Sequence, residues 1–337
     1  MEMKERGKGM TTILGIDQGS SQTRGVLCDE KGRLLALEHA AGACHAYDGM
    51  ERAMAAVFSV AEAVLDQAGL LPKDLSLVYG GFTGADWPDE YLLLQKVVSE
   101  LGLCPMVHIT NDSIIALRAG TRQPYGAILI AGSGGNCAIR TPDGQQFIYH
   151  YYHDSDLQGG DALGHQALRK VYRAATFREP STLLTQRILD FYQLTTVDGL
   201  LRAQVEGRLS PKSIRQLAPI IFQAALEGDA VASDILRHFG EGMAELVTAG
   251  LRHYCMLEIE VDVVLSGSIF KGVGPLLVDT ITRAVHTVAR RANLVNAHYE
   301  PVVGAALLGL EVMKIPIDVE VQENIERTAA ALGLIRH

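Results

Sequence analysis

The chain has 337 residues, and its 30 Lys and Arg stand against 39 Asp and Glu, which gives a formal net charge of −9. This acidic balance disfavours a nucleic-acid or anionic-membrane partner, because both select for a basic surface. It does not exclude a small anionic ligand, since backbone N–H groups can bind phosphate without lysine. The five cysteines include no C-x-x-C pair, which disfavours a disulfide framework and a cysteine-based metal site.

The hydropathy pattern disfavours export and membrane insertion. The first residues, MEMKERGKGM, lack the apolar segment of a secretory signal. No apolar stretch approaches the roughly 20 residues that a membrane span requires. We therefore expect a reduced, cytoplasmic location and no membrane partner, and the length favours two domains over one.

The first third of the sequence predicts three strands joined by tight turns, followed by helices that alternate with strands. Such an order is typical of a mixed sheet with an antiparallel edge. Asp48 is placed to cap the first long helix. The predicted strands are Thr12–Ile16, Thr23–Cys28, Arg33–Glu38, Leu75–Tyr79 and Met106–Ile109, and the predicted helices run from Asp48 to Ala68, from Pro88 to Leu101, and onward from Asn111 or Asp112.

The pattern of three strands and two turns recurs in Ala127–Ala131, Asn136–Arg140 and Gln145–Tyr149. Superposing the second turn of each set places Gly144 on Gly32, 112 positions away. Duplication of a supersecondary unit predicts two domains of one architecture, in agreement with the length. We expect residues 1–118 and 314–337 to form the first domain, to which the C-terminal helix returns, and residues 119–313 to form the second, with a hinge near Gly120–Gln123.

The second half of the chain is mainly helical in pattern. Helices are predicted from Gly160 to about Tyr254 as an insertion in the second domain. A buried strand, Val261–Leu265, then runs into Ser266-Gly267-Ser268. The remaining residues are predicted to be helical, with one break at Ile315-Pro316.

The first turn of each repeat is rich in small residues, Gly19-Ser20-Ser21 in one and Gly132-Ser133-Gly134-Gly135 in the other. Such a turn lets the backbone approach an anion closely, because no Cβ blocks it and successive N–H groups point into one concavity. Either turn alone could be an ordinary hairpin connection. Two of them in equivalent positions favour a polyphosphate site.

Two aspartates follow predicted strands, at the ends where open α/β sheets place their ligands. Asp112 could accept a proton from a substrate hydroxyl, and Asp17 could hold Mg²⁺ through water. Structural alternatives stay open for both residues. Asp112 could cap the helix that follows it, and Asp17 could stabilise a turn through its side chain.

Other chemical patterns are weaker or absent. The sequence contains no P-loop, no G-x-G-x-x-G, no G-x-S-x-G and no H-E-x-x-H. These absences disfavour P-loop NTPases, Rossmann dehydrogenases, α/β-hydrolases and zincins. The segment from His150 to Asp156 has a metal-ligand composition, but strand alternation would point His150 and His153 to opposite faces, so a structural or substrate-rim role is favoured. Trp87 could be a binding platform or a packing residue.

The sequence resembles the superfamily of sugar kinases, actin and heat-shock-protein ATPases, over nearly the whole chain from Thr11. Within it, the likeness is strongest to BadF/BadG-type ATPases and eukaryotic-type N-acetylglucosamine kinases. The resemblance implies an α/β fold of two duplicated ribonuclease H-like (actin-like ATPase) domains, each with a mixed five-stranded sheet flanked by helices. The segments that carry it are Ile13–Thr23 (first phosphate motif), Thr110–Asp112 (catalytic aspartate), Ile130–Cys137 (second phosphate motif), Leu265–Phe270 (adenosine motif) and Pro301–Ala306 (the helix that packs beneath the adenosine motif).

The resemblance implies ATP and Mg²⁺ as cofactors, with Asp17 holding the metal through water and Asp112 as the catalytic base. MgATP would lie in a cleft between the two domains. The ATP-binding residues that the family motifs imply are Asp17, Gly19, Ser20, Ser21, Gln22, Thr23, Gly132, Ser133, Gly134, Gly135, Asn136, Gly267, Ser268 and Phe270.

The acceptor side departs further from the family pattern. Leu157 replaces a glutamate, Tyr149–Tyr152 replaces a Gly/Trp segment, and Gly42–Ala46 stands where the family often has S-x-N. The family helix L-G-x-Q-A-L is present as Leu163–Leu168. The substrate-binding residues implied by the resemblance are Thr83, Gly84, Asn111, Asp112, Ser133 and Asp156.

The resulting functional hypothesis is ATP-dependent phosphoryl transfer to a hydroxyl of a sugar or amino sugar. Two alternatives remain open: an ATPase that couples hydrolysis to a partner protein, and a nucleotide- or sugar-binding regulator without turnover. The sequence lacks the paired cysteines that hold an iron–sulfur cluster in the related dehydratase activators, which disfavours that branch. A small-molecule acceptor is the expected partner, and a homodimer is left open.

Overall fold

The structure is a computed structural model, and it describes residues 11–152 and 154–336. The MEMKERGKGM segment and His153 lie outside the described residues. Among the helices it describes, none is long and apolar enough to cross a membrane. The ten strands in these ranges are β1 Thr12–Gln18, β2 Gln22–Asp29, β3 Leu34–Ala41, β4 Leu77–Phe82, β5 Val107–Asn111, β6 Gly126–Ala131, β7 Gly135–Arg140, β8 Gln146–Ile148, β9 Val261–Ser266 and β10 Ala292–Asn296.

The same part of the chain forms thirteen α-helices, and short 3₁₀ turns connect several of them. In chain order the helices are α1 His45–Asp48, α2 Met50–Ala68, α3 Pro88–Glu100, α4 Asp112–Gly120, α5 Gly159–Ala175, α6 Leu183–Tyr192, α7 Val197–Val205, α8 Pro211–Arg215, α9 Ala218–Leu226, α10 Ala230–His253, α11 Leu276–His286, α12 Pro301–Val312 and α13 Val319–Ala331.

Two five-stranded sheets have the same topology, with strand orders β3-β2-β1-β4-β5 and β10-β9-β6-β7-β8. In the first sheet β2 pairs antiparallel with β1 and β3, whereas β1, β4 and β5 are parallel. In the second, β7 pairs antiparallel with β6 and β8, whereas β6, β9 and β10 are parallel. The expected duplication of a mixed five-stranded sheet is confirmed.

The turns that reveal the repeat in the sequence are equivalent in structure. Gly32 and Gly144 both have positive φ, +76° and +88°. The N–H of Gly32 donates to the carbonyl of Asp29 at 3.0 Å, and the N–H of Gly144 donates to the carbonyl of Thr141 at 2.9 Å. Glycine suits both positions because left-handed φ carries no Cβ penalty there.

The chain divides into two compact units, Met1–Pro124 with Ala297–His337, and Tyr125–Asn296. The sequence-based bounds differ from these, because they assigned α12 to the second domain. In the structure α12 packs within the first unit through glycines. A Cβ on Gly304 would lie 1.9 Å from the carbonyl oxygen of Ile115, and a Cβ on Gly15 would lie 2.9 Å from the nitrogen of Ala306. These close approaches seat α12 directly on α4 and β1.

The apolar stripe expected on the first long helix faces the core of the first unit. Met54, Val57, Ala61, Val64 and Leu65 of α2 are all buried. Full burial of a Val or Leu side chain stabilises a fold by about 1.5–3 kcal/mol. This stripe therefore explains why α2 packs on the sheet formed by β1 to β5.

Three local predictions were wrong. Asp48 does not cap α2, which follows Gly49. The Asp48 carboxylate instead accepts the N–H of Cys44 at 2.9 Å. His150–Tyr152 forms a 3₁₀ turn and not a strand, with His150 at φ +26°, so the alternation argument does not apply. The region predicted to be helical after Val261–Leu265 contains β10, because this short strand pairs in parallel with β9.

Candidate active site

The first small-residue turn joins β1 to β2 and presents little side-chain bulk. The N–H of Gly19 donates to the carbonyl of Gln22 at 3.0 Å, and Ser20 and Ser21 are exposed. Gly42, just after β3, lies so close that a Cβ there would be 2.4 Å from the nitrogen of Gln22. The turn is therefore built from backbone on both sides, as an anion cradle requires.

Thr23 begins the buried part of β2, directly after this turn. Its side chain is fully buried, and within the described residues its hydroxyl has no hydrogen-bond partner. Buried hydroxyl groups are nearly always paired in folded proteins. Because the Thr23 hydroxyl has no exposed surface, it is not presented to a ligand, and the ATP-binding role expected for this residue stays a prediction.

Asp17 is a desolvated carboxyl group near the end of β1. Burial, followed by the nearby Asp112 carboxylate, raises the pKa of Asp17 to about 7, although Arg24 opposes the shift. Across residues 11–152 and 154–336, no hydrogen bond to the Asp17 side chain was found, so the turn-stabilising alternative is not supported. A nearby cation would stabilise the ionised form of such a carboxylate.

Asp112 is the first residue of α4, immediately after β5. Asn111, and not Asp112, caps this helix, because the Asn111 side chain accepts the N–H of Ser113 at 2.9 Å. The Asn111 amide also donates to the carbonyl of Ala85 at 2.9 Å and to Asp86 Oδ1 at 3.0 Å. The capping alternative for Asp112 is therefore wrong, and its carboxylate lies at a helix N-terminus, where negative charge is stabilised.

Thr83 and Gly84 follow β4 and contact the predicted acceptor loop. The N–H of Thr83 donates to the carbonyl of Gln18 at 2.8 Å. Gly84 has φ +76°, and a Cβ there would lie 2.7 Å from the Cys44 sulfur. The segment Gly42–Ala46 thus reaches the loop after β4 in the first unit. His45, in the same segment, also packs here, with its ring 3.5 Å from the position of that Cβ.

The second small-residue turn, between β6 and β7, is packed against two other glycine segments. The N–H of Gly160 donates to the carbonyl of Gly132 at 2.8 Å. A Cβ on Gly159 would lie 2.3 Å from the Gly134 carbonyl oxygen, and a Cβ on Gly267 would lie 2.2 Å from the Ala131 carbonyl oxygen. Glycine is required at both positions, so the start of α5 and the end of β9 hold this turn without side chains.

A cavity of about 950 Å³ opens beside this turn, entirely within the second unit. Its volume lies near the upper end of the range of roughly 300–1,000 Å³ found for small-molecule sites. Two of the expected nucleotide segments contribute to its walls, and the α6, α8 and α9 region supplies much of the rest. The lining residues are Gly132, Ser133, Gly160, Arg187, Asp190, Lys212, Arg215, Gln216, Ala218, Pro219, Ile220, Phe222, Gln223, Ser268, Ile269, Lys271, Gly272 and Val273.

Two expected nucleotide residues have structural contacts instead of lining this cavity. Phe270 packs against the hydrophobic core of the second unit. Asn136 uses its side-chain oxygen to accept the N–H groups of Cys137 at 2.8 Å and His150 at 3.0 Å. The helical wall of the cavity carries no recognisable motif, which is why sequence reasoning missed it.

Asp156 lies in another cavity of the second unit, of about 460 Å³, together with His165, Arg169 and Arg173. Its carboxylate forms an ion pair of 3.4 Å with Arg169. No group of three or more His, Cys, Asp or Glu side chains within the described ranges could hold a metal ion. Trp87, half exposed, precedes α3.

The chain is similar to kinases of amino sugars in sequence. It is 26% identical to the N-acetyl-D-glucosamine kinase of Dictyostelium discoideum over 90% of this chain and 98% of that protein. It is 24% identical to the N-acetylmuramic acid/N-acetylglucosamine kinase of Clostridium acetobutylicum over 79% of this chain and 88% of that protein. The expected likeness to N-acetylglucosamine kinases is confirmed.

Solved structures share the fold. A Chromobacterium violaceum protein, provisionally classified as an N-acetylglucosamine kinase, has a TM-score of 0.61 at 22% identity, with 89% of this chain and 99% of that chain covered. The ROK hexokinase of Thermus thermophilus has a TM-score of 0.59 at 15% identity, with 90% and 100% covered.

A family model places the chain more specifically. Residues 14–309 match the BadF/BadG/BcrA/BcrD ATPase family, a span that includes both small-residue turns, Asp112 and the end of β9. The chain therefore belongs to the BadF/BadG/BcrA/BcrD ATPase family.

Proposed function

We propose that the protein is an ATP-dependent sugar kinase that phosphorylates a hydroxyl of N-acetylglucosamine or a related amino sugar. The observation that carries the proposal is the cavity of about 950 Å³, because its walls join the second glycine turn to Ser268 of the adenosine motif. The amino-sugar kinases similar to this chain support the choice of acceptor.

The nucleotide would be bound mainly by backbone. In this proposal, the turn around Gly132 supplies N–H groups to phosphate oxygens of the nucleotide, and the turn around Gly19 in the first unit offers N–H groups of the same kind. The cavity wall at Ser268 and Ile269 receives the adenosine. Backbone N–H groups bind anions without adding formal charge, which reconciles a polyphosphate ligand with a chain of net charge −9.

Magnesium, when bound, would neutralise the charge that develops on the transferring phosphoryl group. Asp17 is the residue that would hold it, through water. The fit rests on the place of Asp17 near the end of β1, just before the small-residue turn, where burial and the Asp112 carboxylate raise its pKa to about 7. A nearby cation would favour the ionised carboxylate and lower this pKa again.

Asp112 would act as the general base. Its position at the start of α4 fixes the backbone beside the carboxylate, because Asn111 ties the N-terminus of this helix to Ala85 and Asp86. The carboxylate would accept the proton of the acceptor hydroxyl as that oxygen bonds to the γ-phosphorus of ATP. The bond between the γ-phosphorus and the β,γ-bridging oxygen breaks in the same step, and ADP leaves with its electron pair. Positioning and charge neutralisation supply most of the catalysis in such transfers.

The direct test replaces Asp112 by Asn and measures phosphoryl transfer to N-acetylglucosamine, N-acetylmuramic acid and glucose. Removing a general base typically lowers the rate by about 10²–10⁴-fold, and we expect ATP affinity to stay within about threefold, since the phosphate contacts are unchanged. Asp89→Asn is the matched control, because Asp89 is an exposed carboxylate of α3. Full activity in Asp112→Asn would refute the role of Asp112. ATP hydrolysis by the wild type without transfer to any sugar would favour the coupled-ATPase alternative.

A further inference from the structure

The cavity of about 460 Å³ in the second unit has a cationic wall. Arg169, Arg173 and Arg178 all line it. Among its described lining residues Asp156 is the one carboxylate, and it pairs with Arg169 at 3.4 Å. The cavity shares no lining residue with the nucleotide cavity, and its volume is within the range of roughly 300–1,000 Å³ found for small-molecule sites. This concentration of arginine contrasts with the net charge of −9 of the chain.

Neighbouring carboxylates do not balance these arginines. Glu179 Oε1 is shared between two cations, Arg173 Nε at 3.0 Å and Lys170 Nζ at 3.1 Å. Across residues 11–152 and 154–336, no carboxylate pairs with Arg178, whose Nε donates to the hydroxyl of Thr176 at 2.9 Å. The wall therefore has an excess of positive charge, and a local field of this sign attracts anions even when the whole protein is acidic.

The same wall offers accessible hydrogen-bond donors. The Arg173 side chain is 40% exposed, and Arg178 is exposed. Each uses only Nε in its hydrogen bonds to other described residues, which leaves both Nη groups of each guanidinium for a ligand. Gln204 also lines the cavity, and its Oε1 accepts the hydroxyl of Tyr172 at 2.6 Å, so its amide N–H groups are left as donors. A ligand of this wall must therefore be rich in acceptor oxygens, as a phosphate group is.

We propose that this cavity binds a small phosphorylated sugar. The Nη groups of Arg173 and Arg178 bind the phosphate, because the planar guanidinium fork matches phosphate oxygens and forms charge-assisted hydrogen bonds with them. A cavity of about 460 Å³ has room for a sugar ring besides the phosphate, and Tyr172 and Gln204 on its wall supply an apolar ring face and amide donors for that part. Neither arginine belongs to a family motif, and the inference does not depend on the proposed kinase function.

The test measures the Kd of glucose 6-phosphate and of N-acetylglucosamine 6-phosphate by calorimetry, on the full chain without nucleotide or Mg²⁺. Arg178→Gln removes a charged donor without breaking an ion pair among the described residues, and we expect it to raise the Kd at least tenfold. Arg173→Gln should have a similar effect. Arg237→Gln is the matched control, because it removes the same charge from an exposed arginine of α10, and it should change the Kd less than twofold.

Further comparisons locate the ligand. Excess N-acetylglucosamine, and the substitution Gly132→Val in the nucleotide cavity, should leave the Kd of the sugar phosphate unchanged, whereas inorganic phosphate should bind at least tenfold more weakly. An effect of either on the Kd would place the ligand in the acceptor or nucleotide site and overturn the inference.

Three other results would also overturn it. They are no measurable binding of either sugar phosphate, an equal Kd in the wild type and Arg178→Gln, and inorganic phosphate that binds as tightly as the sugar phosphates. If Arg173→Gln does not fold, Arg178→Gln alone decides. Each of these results leaves the kinase proposal standing, because that proposal is tested by phosphoryl transfer.

Discussion

Arg24 and Glu300 are 276 positions apart in the sequence, yet Arg24 Nη1 lies 2.5 Å from Glu300 Oε2. Glu300 precedes α12, and its Oε2 also forms an ion pair of 3.2 Å with Arg336 Nη2. Arg24 lies opposite Asp17 in the β1–β2 ladder, and its Nε donates to the side chain of Gln22 at 2.9 Å. The ion pair therefore ties the strand after the first small-residue turn to the last part of the chain.

Glu300→Gln should destabilise the protein in a pH-dependent way. Burial by itself would raise the pKa of Glu300, but hydrogen bonds and charges from Arg336 and Arg24 outweigh it and lower this pKa. A lowered pKa in the folded state gives stability that is present above the unfolded value of about 4.3 and is lost as pH falls below it. We expect a loss of about 1–2 kcal/mol at pH 7, allowing for partial solvent screening.

The measurement is urea denaturation of wild type and Glu300→Gln between pH 3 and pH 7. The difference in unfolding free energy should shrink as pH falls through 4. Arg237→Gln, which breaks an exposed pair with Asp234, should cost less than about 0.5 kcal/mol. A difference that is constant across the pH range would contradict the stabilising role of the ionised Glu300.

Asp17→Asn should stabilise the metal-free protein at alkaline pH while abolishing phosphoryl transfer. Burial and the Asp112 carboxylate raise the pKa of Asp17 to about 7, so the folded protein binds a proton that the unfolded chain has released. Stability should therefore decline as pH rises from about 4 to about 7, and the loss is complete above that. With EDTA at pH 8, we expect the variant to be more stable by roughly 2 kcal/mol.

The comparison requires denaturation curves at pH 5 and pH 8, with EDTA and then with MgCl₂ and ATP. Magnesium with ATP should stabilise the wild type more than Asp17→Asn, because the cation favours the ionised carboxylate. Equal stability of the two proteins in EDTA at both pH values would show that Asp17 is not desolvated in the way that the structure indicates.

Gly159→Ala should damage the nucleotide site beyond the cost of its backbone conformation. Gly159 has φ +56°, and the new Cβ would lie 2.3 Å from the Gly134 carbonyl oxygen. Gly207 is the matched control, since it has φ +71° with no atom within 4 Å of a Cβ. We expect Gly207→Ala to cost about 1 kcal/mol from φ alone. Gly159→Ala should cost more and raise the Kd for ATP by at least tenfold. Calorimetry and thermal unfolding measure both quantities, and matching losses in the two variants would contradict the close packing.

Gly132→Val tests the cavity itself. A Cβ on Gly132 would have no atom within 4 Å, and Gly132 lines the cavity of about 950 Å³. The valine side chain should enter this space without displacing protein atoms, so the unfolding free energy should change by less than about 1 kcal/mol. We expect ATP affinity to fall at least tenfold because the side chain would occupy the place of a phosphate or ribose. Unchanged affinity would place the nucleotide elsewhere.

Local signals made much of the fold predictable. The duplicated strand–turn–strand pattern rests on Gly32 and Gly144, whose positive φ leaves a composition signal in the sequence. Strand β10 left no such signal, because Ala292–Asn296 is short and its pairing with β9 depends on a partner distant in sequence. Asp48 has the residue type of a helix cap, but Gly49 intervenes and the carboxylate binds Cys44 instead.

The candidate site was predictable to the extent that it consists of backbone. Turns around Gly19 and Gly132 are visible as glycine and serine, because a close approach to an anion excludes larger side chains. The helical wall of the cavity, from Lys212 to Gln223, has no such requirement and could not be found.

The packing of α12 on Gly15 determines the order in which the two units can fold during synthesis. The second unit, Tyr125–Asn296, is one continuous stretch, whereas the first unit needs residues from both sides of it. A nascent chain can thus complete the second unit before α12 is made. At that stage β1 still lacks this helix, which packs closely on α4 at Gly304. Since domains tend to fold as their residues emerge, the part of the protein that is made first would be the part that finishes folding last.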